Sequence, residues 1–324
     1  MYKSLLNFFL SHNSTEKAFR IAASFMTAVR NIPFGRQLLR LRYKGRIKGS
    51  LSKEVFGLEF KHPIGLAASV DKDASFYDVL SEFGFSFIEI GPMNVTTGTG
   101  SQSKLHNETA LKHAVEHLRS ERPDCIISGN ITRNEKSKGS AEIIRDYEEA
   151  FALLYDFVDM IVISPKFTSA NAGETADISD LSDIIDRMLT LRMYYDVNKP
   201  VLVRLTPSLT RSQTEELVSC CLSSGIDGVV AGGTVRSISD ITGKELFGQN
   251  IEFIRYINEI SRGLLPIIGV GGIMDGETAV QMMDAGAILV EVFTGLFREG
   301  PTIVYDIVNY LYGQEKRKCP VKEK

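Results

Sequence analysis

Residues 266–295 read PIIGVGGIMDGETAVQMMDAGAILVEVFTG. Pro266–Val270 is a short apolar run, and Gly271 and Gly272 turn the chain out of it. Asp275 opens the helical stretch Glu277–Ala285, and Ile288–Phe293 is a second apolar run that ends at Thr294-Gly295. Neither run alternates with polar residues, which is the signature of a strand buried on both faces. Two such strands joined by a helix make a parallel β/α unit. Six runs of the same kind come before it: Pro63–Ala68, Phe87–Ile90, Cys125–Ser128, Val158–Ser164, Val201–Leu205 and Gly228–Ala231. The stretches Ala141–Leu154, Ser179–Leu191 and Ser212–Ser223 carry helical patterns between them. Eight units over about 250 residues predict an α/β chain closed into a TIM (β/α)8 barrel, with a doubly wound open sheet as the alternative.

The rest of the chain divides around that repeat. Residues 1–50 hold ten Lys or Arg against the single acid Glu16, a net of +9 in a chain whose total is −3. Ala18, Ile21, Ala22, Phe25, Met26 and Val29 recur at helical spacing, with Asn13 as the expected N-cap, and Pro33 restarts a shorter helix bearing Leu38, Leu39 and Leu41. This predicts a small N-terminal helical extension over 1–50, a barrel over 51–313 and a polar tail over 314–324. The extension reads either as a cap with a solvated basic face or as a peripheral membrane contact with apolar side chains in the interface. With 44% hydrophobic and 24% charged residues the chain is globular rather than disordered. The overall charge is too balanced to argue for nucleic acid. Cys125, Cys220, Cys221 and Cys319 form no CxxC pair, which favours a reduced, cytoplasmic setting, with any membrane contact peripheral and at the inner face. No apolar run approaches the roughly 20 residues of a spanning helix.

Barrel chemistry sits where the strands end. Gly271-Gly272 after the seventh strand and Thr294-Gly295 after the eighth let backbone N–H groups approach an anion, and the helix opened by Asp275 favours its charge. Tight turns account for such glycines equally well. The first strand ends in Ala67-Ala68-Ser69-Val70-Asp71-Lys72, small residues on which a flat ring could lie beside a cation. His113 and His117, with Glu116 between them, have metal-pair spacing but no evident third ligand, so a solvated helix face is expected. Asp177, Asp180, Asp183 and Asp186 read as a helix N-terminal turn.

Taken together, Val55–Phe60, Pro63–Ala68 with Asp71-Lys72, Gly129-Asn130, Ser164-Pro165, Asp227–Ala231, Ile268–Ile273 and Thr294-Gly295 resemble the dihydroorotate dehydrogenase family over nearly the whole chain. The basic helical N-terminus is similar to that of the membrane-associated, quinone-reducing class. The resemblance implies an FMN enzyme that oxidises dihydroorotate and passes electrons to a quinone. It implies Ala68, Ser69 and Lys72 against the flavin, Asn130 bonded to it, and Arg204 where the family has a lysine at the flavin N1–C2=O edge. It further implies Gly243, Gly271, Gly272, Thr294 and Gly295 around the ribityl phosphate, and Lys72, Lys166 and Thr234 near the substrate. Ser164 falls at the position of the serine base, whose proton must leave through threonine or water because a hydroxyl is not basic near neutral pH.

The departures concern the substrate. The family's Asn-x-Ser-Ser-Pro-Asn-Thr stretch reads Ile161-Val162-Ile163-Ser164-Pro165-Lys166-Phe167 here, and Gly233 precedes Thr234 where an asparagine is expected. The Arg-Met-Gly-Phe-Asn-Asn segment has no counterpart. Each buried partner lost costs about 1–3 kcal/mol. Three functions therefore stay open: a dihydroorotate dehydrogenase, a family oxidoreductase with another substrate, and a non-catalytic flavin-binding barrel.

Overall fold

The structure is a computed structural model that describes residues 15–95, 102–134, 136–137, 139–165, 178–233 and 243–318. The chain enters through helices α1 (Thr15–Asn31) and α2 (Gly35–Arg42), then a two-stranded antiparallel hairpin, β1 (Lys53–Val55) and β2 (Leu58–Phe60). Eight strands follow: β3 (Ile64–Leu66), β4 (Phe87–Met93), β5 (Ile126–Ile131), β6 (Met160–Ile163), β7 (Val201–Leu205), β8 (Gly228–Ala231), β9 (Ile267–Val270) and β10 (Leu289–Val292). They pair in parallel in chain order, and β10 returns to β3, so the sheet closes into a barrel. All eight lie within the apolar runs expected of them or overrun those by a few residues.

Period-two alternation sorts each strand into an inner and an outer face. The outer set, including Ile88, Ile127, Ile161, Val203 and Val229, joins the helices in the main core. The inner set, including Phe87, Met160, Val162, Leu202, Val230, Ile268 and Leu289, fills the barrel. The hairpin, which the sequence reading did not anticipate, closes the N-terminal end. Phe60 packs edge-on against Phe87 with ring centroids 5.4 Å apart. A Cβ on Gly228 would stand 2.6 Å from the Phe56 ring, so the strand opposite the hairpin must be bare there. With that end closed, an open face is left only where the strands finish.

The remaining helices cover the outside: α3 (Tyr77–Leu80), α4 (Gln102–Ser120), α5 (Ser140–Leu154), α6 (Ile178–Arg192), α7 (Arg211–Ser224), α8 (Gly243–Ile260), α9 (Gly276–Asp284), α10 (Thr294–Glu299) and α11 (Ile303–Lys318). Helix α11 runs through Gly313 unbroken to Lys318, so the boundary expected at 313 falls inside a helix.

The extension docks in a way that neither sequence reading foresaw. Arg30 bonds both carboxylate oxygens of Asp78, and its Nε lies 3.0 Å from Oδ2. Arg36 pairs with Glu121 at 2.7 Å and with Glu82 at 3.2 Å, while Arg40 grips Glu82 at 2.7 and 2.9 Å. Three of the arginines therefore reach onto the barrel, on acids of which Asp78 and Glu82 are buried. Met26 and Val29 pack inward, and Phe25, Ile32, Phe34, Leu38 and Leu41 are left exposed. Asn13 lies outside the described residues. Among the described residues no helix is long and apolar enough to cross a membrane.

Candidate active site

The C-terminal mouth is built by the last inward position of each strand and the turn beyond it. On β4, β7 and β10 an inward position carries charge: Glu89, Arg204 and Glu291. These strands are not neighbours in the barrel, so contacts among their side chains must cross its interior. Arg204 Nη2 donates to Glu89 and also lies 3.4 Å from Glu291 Oε2. Asn130 Nδ2, from β5, donates to Glu89 Oε1 at 2.5 Å. Both glutamates are wholly buried. Burial opposes the Arg204 charge, but the two carboxyl groups outweigh it and hold the guanidinium protonated. Glu291 is pushed well above the usual carboxyl range, first by burial and then by the Glu89 charge.

Around this cluster lie buried polar atoms with no protein partner: Ser128 Oγ, Asn130 Oδ1, Ser164 Oγ and Arg204 Nε. Buried polar groups are nearly always satisfied, so a group of orphans at one end of a barrel calls for a polar ligand.

Ser164 directly follows β6, and its backbone is held from three sides. Its N–H donates to Ile131 O at 2.8 Å, and its carbonyl accepts from Thr132 Oγ1 at 2.9 Å and Tyr147 Oη at 3.0 Å. Burial pushes the Tyr147 phenol up to about 12, which keeps it a donor. Thr132 is thus committed to the Ser164 carbonyl. Among the described residues no hydroxyl relay reaches Oγ.

The turn after β3 is stitched to β4: Ser69 N–H donates to Gly91 O at 2.7 Å, and Gly91 N–H donates to Asp71 O at 3.0 Å. The Asp71 carboxyl accepts from the Ser75 and Phe76 N–H groups at 2.8 and 2.9 Å, while burial raises it to about 7. Ala68 is buried in this turn, Ser69 sits at φ 75°, and Lys72 is exposed.

On the opposite rim Gly271 and Gly272 have φ of 104° and 83°, and a Cβ on Gly272 would come within 2.7 Å of Phe247 Cβ. Asn250, wholly buried on α8, accepts from Gly233 N–H at 2.7 Å and donates to its carbonyl at 3.3 Å. It clamps the β8 turn against the β9 turn, because a Cβ on Gly271 would meet its Nδ2 at 2.3 Å. Thr294 and Gly295 open α10 and are buried.

Several expectations need correction. Asp275 caps α9 with its own side chain on Thr278 N–H at 2.8 Å, so that helix end already holds a carboxylate and is not an open anion site. Ile161 points outward into the helix layer, away from the mouth, so its apolar character removes nothing from a substrate site. His113 and His117 do not lie on a solvated face. Their Nδ1 atoms contact Asp73 O at 3.2 Å and Ala74 O at 3.1 Å, tying α4 to the β3 turn. Lys166 and Thr234 lie outside the described residues, and Gly243 is the first residue of α8. Glu89, Glu291 and Asn250 were missed. For the glutamates a signal existed: each is a lone acid inside an apolar strand run.

The dihydroorotate dehydrogenase family profile matches residues 106–313, well over half of the chain. A protein from Christiangramia forsetii named dihydroorotate dehydrogenase (quinone) is 31% identical over 95% of this chain and 97% of its own length. The chain belongs to the dihydroorotate dehydrogenase family. A relative of the same name from Coxiella burnetii is 28% identical over 79% of this chain and 83% of its own. Among solved structures, DHODH of Eimeria tenella in complex with ferulenol superposes with a TM-score of 0.78, covering 97% of this chain and 95% of that one at 22% identity. That likeness supports the barrel fold. Both named relatives are quinone-linked members of the dihydroorotate dehydrogenase family, the class to which the basic N-terminal helices pointed.

Proposed function

We propose that this chain is an FMN-dependent oxidoreductase that oxidises dihydroorotate to orotate and passes the electrons to a quinone. The observation that carries this reading is the set of orphaned polar atoms at the mouth of a barrel related over its whole length to quinone-linked dihydroorotate dehydrogenases. Those atoms fit a flavin: Arg204 Nε offers a donor to a ring carbonyl, and Asn130 Oδ1 an acceptor to a ring N–H. Ala68, Ser69 and Lys72 would line one side of it. Gly271, Gly272, Thr294, Gly295 and Gly243 would take the phosphate end.

Bound FMN supplies the acceptor for a hydride from substrate C6. Ser164 takes the proton from C5 as the C5=C6 double bond forms. Its backbone is fixed by Ile131, Thr132 and Tyr147, so Oγ is held in place while water carries its proton away. The exposed Lys72 cation, with Lys166 and Thr234, would meet the substrate carboxylate. The exposed apolar side chains of α1 and α2 would rest at a membrane surface at the inner face of the cell membrane, where a quinone is reached.

A second reading, a family oxidoreductase with a different substrate, is favoured by Gly233, which has no side chain to offer at the mouth. Anaerobic titration of the purified flavoprotein with dihydroorotate separates the two. Rapid, saturable bleaching of the flavin supports the first reading. A flavin bleached by chemical reductant but not by dihydroorotate supports the second, and a protein that binds no FMN overturns both.

A further inference from the structure

The mouth of the barrel holds two buried carboxyl groups and one cation. We propose that Glu291 holds a proton shared with Glu89, making Glu89, Arg204 and Glu291 an electrically neutral triad, and that Glu291 thereby sets the charge Arg204 presents to a ligand in the mouth. The flavin arm of its test rests on the function proposed above.

The geometry requires a proton. Both carboxyl groups approach the same nitrogen, Arg204 Nη2, so one guanidinium corner serves two acids. Glu89 Oε2 and Glu291 Oε1 are buried without any hydrogen-bond partner, so no further donor compensates a second ionised carboxylate. With both glutamates wholly buried, a net charge of −1 would be left uncompensated, and a shared proton removes it. The proton belongs on Glu291. Glu89 is the better-solvated anion, because Asn130 donates to it as well as Arg204 does, while Glu291 has only the more distant guanidinium contact.

No other charge intrudes among the described residues. Among them, the only polar side chains that β5 and β6 add to the inner face are Ser128, Asn130 and Ser164, and β8 and β9 add valine, isoleucine and glycine. On the turn after β3, Asp71 is taken up by backbone N–H groups and Lys72 is exposed. Arg204 therefore faces a ligand as a compensated cation.

Two measurements test this. Infrared spectra of the unmodified protein near pH 7 should contain a protonated-carboxyl C=O stretch that is lost in both Glu291→Gln and Glu89→Gln. In Glu89→Gln the remaining acid pairs alone with Arg204 and ionises. This arm is read with or without flavin, so it stands if the proposed function falls. In flavin-loaded protein each single variant keeps a neutral cluster, so the ratio of reduced to oxidised FMN affinity should stay within about threefold. The double variant leaves a bare cation and should raise that ratio at least about tenfold, since reduced FMN is the more anionic form. Absence of a carboxyl band attributable to Glu291, seen directly or by carbon-13 NMR of labelled glutamate if the variants do not fold, overturns the proposal. So does a tenfold rise in either single variant, which would mean that both acids are ionised.

Discussion

Two arginine–carboxylate clusters in this molecule solve the same problem in different surroundings. At the surface, Arg30, Arg36 and Arg40 meet Asp78, Glu82 and Glu121, three cations against three acids, with Arg40 about half exposed. Inside the barrel, Arg204 meets Glu89 and Glu291, one cation against two acids with no solvent at either glutamate. The outer cluster can match charges with side chains, because water and salt absorb any residue. The inner cluster has no such reservoir, so its imbalance is met by a proton. The outer cluster fastens one part of the fold to another, and the inner one conditions a binding site.

The comparison can be broken most sharply at its cations. Arg204→Met should destabilise the protein by about 3–5 kcal/mol in denaturant unfolding, because it strands buried carboxyl groups. Arg36→Met, at a partly exposed site, should cost about 1 kcal/mol or less and mainly loosen α1 and α2 in hydrogen exchange. Equal losses would mean that burial does not separate the clusters.

Next comes acid. His62 is buried, with Nε2 2.8 Å from Gly84 O and Nδ1 accepting from Ile64 N–H at 3.3 Å, and burial lowers it to about 4 from 6.5. A depressed histidine is neutral in the folded state while the unfolded chain takes a proton below 6.5. Stability should therefore fall as pH drops from 6.5 toward 4, by roughly 3 kcal/mol in all, and His62→Gln should flatten that limb.

Glu291 has the opposite sign. Its raised value means that the folded state keeps a proton the unfolded chain releases above 4.5, so stability declines as pH rises from there toward its folded value. Glu291→Gln should remove this decline in pH-dependent thermal melts, whereas Glu82→Gln in the outer cluster should not.

The smallest effect on stability belongs to the exposed apolar side chains. Leu38→Ser with Leu41→Ser should change unfolding by less than about 0.5 kcal/mol, yet reduce sedimentation with anionic lipid vesicles. Unchanged vesicle binding would remove the membrane role given to this face.

Much of the barrel was legible because a strand buried on both faces must be continuously apolar, and that pattern survives in one dimension. Val201–Leu205 and Gly228–Ala231 match the observed strands residue for residue. The β1–β2 plug was hidden because three-residue strands carry too little pattern to separate them from a loop. Gly272 and Thr294 stood out from the strand ends alone, whereas Asn130, Ser164 and Arg204 entered through the family resemblance. Ile161 was misplaced because a one-residue step reverses the face of a strand, and motif comparison does not track that parity.

By itself, then, the sequence determined local periodicity: which segments form the barrel strands, and the resemblance that names the family. Tertiary structure decided which charges meet. Glu89, Arg204 and Glu291 are separated by more than a hundred residues from first to last, and only closure of the barrel aims their side chains at one interior point. The arginines of α2 likewise look like a basic surface until the fold sets Glu82 against them. Side-chain charge is a property of sequence, but the partner, the burial and hence the protonation state are properties of distance, which closure of the chain alone supplies.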